Sequence, residues 1–163
     1  MWPALPDEHK PCVDREKEPT WQEFEEQIRD VLESAGFATD FRKVFKAAGR
    51  RYEIDVVAHR FGTTVLIDAK RYGKAWPRGS AIRTQARKHL ARASEFDRTF
   101  SVKSVPVIVS WLDDALLSES GCFIVPFDKF EDFIGHLEYY VDSIRDLKPR
   151  DSIIDQTDKT DIF

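Results

Sequence analysis

The chain has 163 residues, 42% hydrophobic and 33% charged, which is enough for one domain with a real core and too little for two. Its two cysteines, Cys12 in a polar tail and Cys122 in an apolar run, exclude a disulfide framework or a paired-cysteine zinc site. The net charge of −4 averages three unlike regions, because residues 1–41 balance to −7, residues 42–103 to +11 and residues 104–163 to −8.

A basic block between acidic flanks is the footprint of a polyanion-binding face, although a solvated helix rich in arginine would look similar. The longest apolar run, residues 105–112, is too short to span a bilayer. The first apolar residues are broken by Pro3 and Pro6, unlike a signal peptide. A cytosolic (cytoplasmic) protein without membrane contact is therefore expected.

Residues 1–19 hold four prolines and many charges without apolar periodicity, and a disordered arm is expected there. Thr20 and Glu23 then fit a capping box. Trp21, Phe24, Ile28, Val31, Leu32 and Ala35 follow on one helical stripe that Gly36 stops. At about 100° per residue, Glu25 falls at the rim of that stripe, and Glu23 and Glu26 lie further round. If an acid of this helix points toward the sheet, it is Glu25; otherwise Glu25 is a surface partner of Arg29.

Residues 37–47 read as a strand and Ala48-Gly49 as a turn. Residues 51–59 and 63–72 read as the two arms of a hairpin, rich in Ile, Val and Thr. A loop with Trp76-Pro77 leads to a helix from Ser80 to about Phe96. Ile82, Ala86, Leu90 and Ala93 form its inner face, with His89 packed among them, and Arg83, Arg87, Lys88 and Arg92 its outer surface. Residues 104–110 read as a buried strand, 113–118 as a short helix and 122–126 as a second buried strand. Asp128 is placed to cap a last helix with Phe130, Phe133, Ile134, Leu137 and Val141 inside, before an acidic tail at 148–163. The order α-β-β-β-α-β-α-β-α predicts one α/β domain over residues 20–147, a central mixed sheet flanked by helices.

The hairpin carries the chemistry. Asp68 and Lys70 are two apart on one arm and share a face. Asp55, on the other arm, joins them if the turn has even length, either Phe61-Gly62 or the four residues 59–62; an odd turn would separate the acids. Cross-strand neighbours stand roughly 5 Å apart at Cβ. Two carboxylates that close repel, and a divalent ion resolves the conflict. Hard oxygen ligands suit Mg²⁺ or Mn²⁺, which would polarise a phosphoryl oxygen and activate water. Lys70 is then placed to orient or deprotonate that water or to stabilise the transition state; alternatively it only neutralises an acid.

FEEQIRDVLESAGF, EIDVVA and LIDAK stand in the order helix, first arm, second arm. This set resembles the PD-(D/E)xK nuclease superfamily, the restriction-endonuclease-like fold, and its first segment resembles archaeal Holliday junction resolvases and Mrr-like restriction endonucleases. The resemblance implies that Glu25, Asp55 and Asp68 are the metal-binding acids, that the backbone carbonyl of Ala69 is a further ligand, and that Lys70 is the catalytic lysine. Gln85 stands near the place where some members carry a helix glutamine, and is otherwise a solvent-facing residue.

The implied activity is that of a Mg²⁺-dependent DNA endonuclease of Mrr type, in restriction or DNA repair. Two alternatives stay open: a Holliday junction resolvase, and a nucleic-acid-binding module without turnover. DNA contacts are expected from Arg51, Arg71, Lys74, Arg78, Arg83, Gln85, Arg87, Lys88 and Arg92. Such contacts hold phosphates and imply salt-sensitive binding of weak sequence preference. Trp76 either stacks on a base or covers the core edge. Phe130, Phe133, Tyr139 and Tyr140 either form a homodimer face or lie in the core. The end of the tail, QTDKTDIF, loosely resembles a sliding-clamp docking peptide, with an acidic tail as the alternative.

Overall fold

The structure, a computed structural model, describes residues 19–71, 78–111 and 117–147. Lys74, Trp76, the arm before Pro19 and the tail from Lys148 lie outside the described residues. Helix α1 spans Trp21–Ser34 and begins with the expected capping box, in which Thr20 Oγ1 accepts from the Glu23 N–H and Glu23 Oε2 accepts from the Thr20 N–H. Gly36, at φ +82°, turns the chain out of the helix, a conformation that costs a side-chain-bearing residue about 1–2 kcal/mol.

Strands β1 (Ala38–Ala47), β2 (Arg50–Arg60) and β3 (Thr63–Lys70) form an antiparallel meander. Arg60 pairs with Thr63, so Phe61-Gly62 is a two-residue turn, and both turn residues have positive φ, as the right-handed strand twist requires. Helix α2 (Arg78–Phe100) is longer than expected at both ends and carries the chain across to β4 (Ser104–Ser110), which lies parallel to β3. β5 (Leu117–Glu119) and β6 (Cys122–Pro126) complete a six-stranded mixed sheet in the order β1-β2-β3-β4-β6-β5.

The end of the chain departs from expectation twice. Of the segment read as a helix at 113–118, residues 117 and 118 belong to β5, which pairs antiparallel with β6, and 113–116 lie outside the described residues. The last helix is three pieces: a 3₁₀ turn (Phe127–Lys129), α3 (Phe130–Gly135) and α4 (Leu137–Leu147). Neither of the first two has a side-chain cap, so Asp128 does not cap. The break falls at Gly135-His136, where glycine weakens the helix and His136 Nδ1 turns back to the Asp132 carbonyl at 3.0 Å.

Two layers cover the sheet. Phe24, Ile28 and Leu32 of α1, with Phe130, Phe133 and Ile134 of α3 and Leu137 of α4, pack on Val56, Ala58, Val65, Ile67 and Ala69. On the other face, Ala93 and Phe96 of α2 pack on Phe45, Ile54, Val57 and Leu66. Phe130 and Phe133 are therefore core, Tyr140 stacks on Phe133, and Tyr139 is 71% exposed. Among the described residues, no helix is long and apolar enough to cross a membrane.

Candidate active site

Sheet alternation puts Leu66, Asp68 and Lys70 on the face that α2 covers and Ile67 and Ala69 on the α1 face. The β2–β3 ladder ends at Val56–Ile67, and the next residue along each strand is an acid, Asp55 on β2 and Asp68 on β3. Strand β2 is irregular there. Ile54 and Val57 pack in the same cluster, which strict alternation forbids, so the strand changes face at Asp55. Opposite that change stands Arg42, a non-glycine residue at φ +50°, between the pairs Phe41–Val56 and Lys43–Ile54. Local distortion of this kind re-aims a side chain.

The re-aimed Asp55 accepts the Ala69 backbone N–H at 2.9 Å through Oδ2. Burial first, and then the charge of Asp68, push the Asp55 pKa from 3.8 up to about 6, against the Ala69 N–H and Lys70. Asp68 is 1% exposed. Its Oδ1 receives the Lys70 ammonium at 3.0 Å and the Arg92 guanidinium at 3.4 Å. Its Oδ2 is buried without a hydrogen-bond partner among the described residues. An orphaned carboxylate oxygen beside a second, proton-hungry carboxyl is a donor set that hard divalent cations fit.

Glu25 is placed differently. It is 8% exposed, as its rim position on α1 implied, but it accepts the Trp21 indole N–H at 2.7 Å and pairs with Arg42 at 3.3 Å. Among the described residues, no three His, Cys, Asp or Glu side chains gather closely enough to hold a metal ion. The structure thus brings together Asp55, Asp68 and Lys70, and leaves Glu25 engaged elsewhere.

Of the residues expected to meet DNA, Arg83, Arg87 and Lys88 are exposed on α2, Arg71 is exposed after β3, and Arg51 is exposed on β2 with Glu53 4.0 Å away. Arg78 opens α2, and Lys74 is outside the described residues. Gln85 is half-buried. Arg92 corrects the sequence reading: it does not lie on the outer surface, because it turns inward to Asp68 with its side chain 25% exposed. The signal was present in the helix period. Taking about 100° per residue from His89, Gln85, Arg92 and Lys88 fall near −40°, −60° and −100°, along one flank of the buried stripe. His89 is packed as expected, fully buried with Nε2 2.8 Å from the Leu66 carbonyl. Its pKa is lowered chiefly by burial.

Residues 17–95 match a family model described as a restriction endonuclease, the Mrr catalytic domain. The chain is 42% identical over 121 residues to an uncharacterised protein of Archaeoglobus fulgidus, covering 74% of this chain and 94% of that one. Among solved structures, a protein of unknown function, AF1548, aligns with a TM-score of 0.44 at 20% identity over 69% of this chain, which spans 54% of that structure. The small subunit of the heterodimeric restriction endonuclease R.BspD6I aligns with a TM-score of 0.47 at 10% identity, over 76% of this chain and 75% of that one.

Proposed function

Because the chain belongs to the restriction endonuclease family whose Mrr catalytic-domain model matches residues 17–95, we propose that it is a metal-dependent DNA endonuclease whose centre is Asp55, Asp68 and Lys70. One observation carries this reading: the two-residue turn sets both acids side by side at the end of their ladder, with Asp68 Oδ2 buried and unpartnered. Asp55 and Asp68 would hold Mg²⁺ or Mn²⁺, with the Ala69 carbonyl as a further oxygen. That ion, when bound, supplies polarisation of the scissile phosphoryl oxygen and a hydroxide near neutral pH.

The protein's own groups do the rest. Lys70, its side chain 26% exposed, reaches from Asp68 toward solvent and presents positive charge where the phosphorane-like transition state accumulates negative charge. Arg92 pairs its guanidinium with the buried Asp68 carboxylate at 3.4 Å and so braces it from the helix side. Arg51, Arg71, Arg83, Arg87 and Lys88 hold backbone phosphates and fix the strand against the site.

The test is cleavage of supercoiled, linear, single-stranded and four-way-junction DNA in Mg²⁺ or in EDTA, beside Lys70→Ala. Metal-dependent cutting that Lys70→Ala abolishes is expected. Absence of cutting on every substrate would leave a binding module; symmetric cuts confined to the junction would make the protein a resolvase.

A further inference from the structure

Beside Lys70 and Arg92 the surface opens into a cleft of about 470 Å³ between α2 and the start of β2. Arg50, Tyr52, Lys70, Gln85, Lys88 and Arg92 line it. Four of these six are cations and none is an acid. The cleft is shallow and widely open, a form in which a single strand can lie with its phosphates on these cations.

Tyr52 adds a second requirement. Its ring is half-buried and stacked on Phe45, with centroids 5.3 Å apart and planes 20° from parallel. Phe45 thereby holds the ring of a cleft-lining residue in one plane. A fixed aromatic plane among cations is the arrangement on which the bases of single strands stack while their phosphates find charge. Gln85, on the same helix flank, brings an amide that both donates and accepts. Lys70 lines this cleft and also contacts Asp68, so whatever enters lies next to the acid pair.

We propose that the cleft receives one unpaired nucleotide adjacent to the phosphate that is cut, its base on Tyr52 and its phosphates on Arg50 and Lys88. This rests on the nuclease reading and narrows its substrate to DNA with unpaired nucleotides at the cut, such as a gap, a flap or a single strand. A paired base is enclosed by its neighbours and must be unstacked to enter a pocket, and that cost is least for a base that is already single-stranded. Stacking uses the face that every base has, so the preference is for structure and not sequence.

Binding measured in EDTA separates this proposal from catalysis. Fluorescence anisotropy would compare a blunt duplex with the same duplex carrying a short gap, and a 2-aminopurine at an unpaired position would report stacking. The gapped DNA is expected to bind about tenfold more tightly, with a change in 2-aminopurine fluorescence. Tyr52→Leu should remove both effects, Lys88→Ala should weaken binding of the gapped DNA, and Tyr139→Leu, exposed on α4, should change neither. Equal affinity for the two duplexes with an unchanged 2-aminopurine signal overturns the proposal. Wild-type behaviour of Tyr52→Leu overturns it as well. If circular dichroism shows Tyr52→Leu unfolded, the wild-type 2-aminopurine signal decides. Competition by free deoxynucleoside monophosphate without loss of bound DNA would assign the cleft to a free nucleotide and also overturn it. Selective binding with no cleavage of any DNA would refute the nuclease reading alone; cleavage with no selectivity in binding would refute this one alone.

Discussion

The Arg92 guanidinium stands 3.4 Å from Asp68 Oδ1, on a carboxylate whose side chain is 2% exposed. Lys70 shares the same oxygen at 3.0 Å, so one buried anion meets two cations on one side while its other oxygen has no partner among the described residues. Charge near the acid pair is thus balanced by side chains from two elements, β3 and α2.

Arg92→Met removes one cation from a buried carboxylate and leaves Lys70. A loss of about 1–3 kcal/mol in stability is expected, below the cost of stripping a buried charge of every partner. Mg²⁺ should recover more of the melting temperature in this variant than in wild type, because binding of the ion to Asp68 no longer competes with the guanidinium. Thermal unfolding in EDTA and in Mg²⁺ reads both effects, and equal Mg²⁺ responses would count against the metal assignment.

Two groups near the site pull stability in opposite directions with pH. The Asp55 carboxyl titrates at about 6 in the fold against 3.8 when unfolded, so the folded state holds the proton more tightly. Its contribution is present below 3.8 and is lost as pH rises through about 6. His89 is lowered from 6.5, so its contribution is present above 6.5 and is lost as pH falls. Asp55→Asn should therefore gain stability relative to wild type between pH 4 and pH 6 in EDTA. Urea midpoints across that range check the sign.

Lys70→Ala and Asp68→Asn should fail in different ways. The lysine variant is expected to lose roughly 10²–10³-fold in cleavage rate while keeping its Mg²⁺-dependent rise in melting temperature. The aspartate variant should lose both cleavage and the Mg²⁺ response. Single-turnover cleavage and thermal shift on the same samples distinguish the two roles.

Phe61 is fully exposed at φ +47° and packs nothing that its conformation would offset. Phe61→Asn should stabilise the fold by about 1 kcal/mol, since asparagine tolerates this region. Gly62→Ala should destabilise by about 1 kcal/mol through backbone strain alone, because at φ +77° nothing lies within 4 Å of the added Cβ. Denaturant midpoints give both values.

What the chain determined by itself is whatever depends on near neighbours. The capping box of α1, the stripe of Phe24, Ile28 and Leu32 and the packed position of His89 follow from a period of 3.6. The shared face of Asp68 and Lys70 follows from a period of two, and any even turn between the arms adds Asp55 to it, whereas the choice of Phe61-Gly62 as that turn came from the pairing of Arg60 with Thr63. The break at Gly135 was local as well, but the apolar spacing continues through it and masks it. Tertiary structure alone decided the rest. Arg92 reaches Asp68 because α2 packs across β3, and the charge it meets lies 24 positions earlier in the chain. Glu25 turns to Arg42 because β1 kinks beside α1, and β2 changes face at Asp55, where alternation predicts no change. Charged partners are chosen by where packed elements bring them within a few ångströms, and periodicity along one element carries no record of the element that will lie against it.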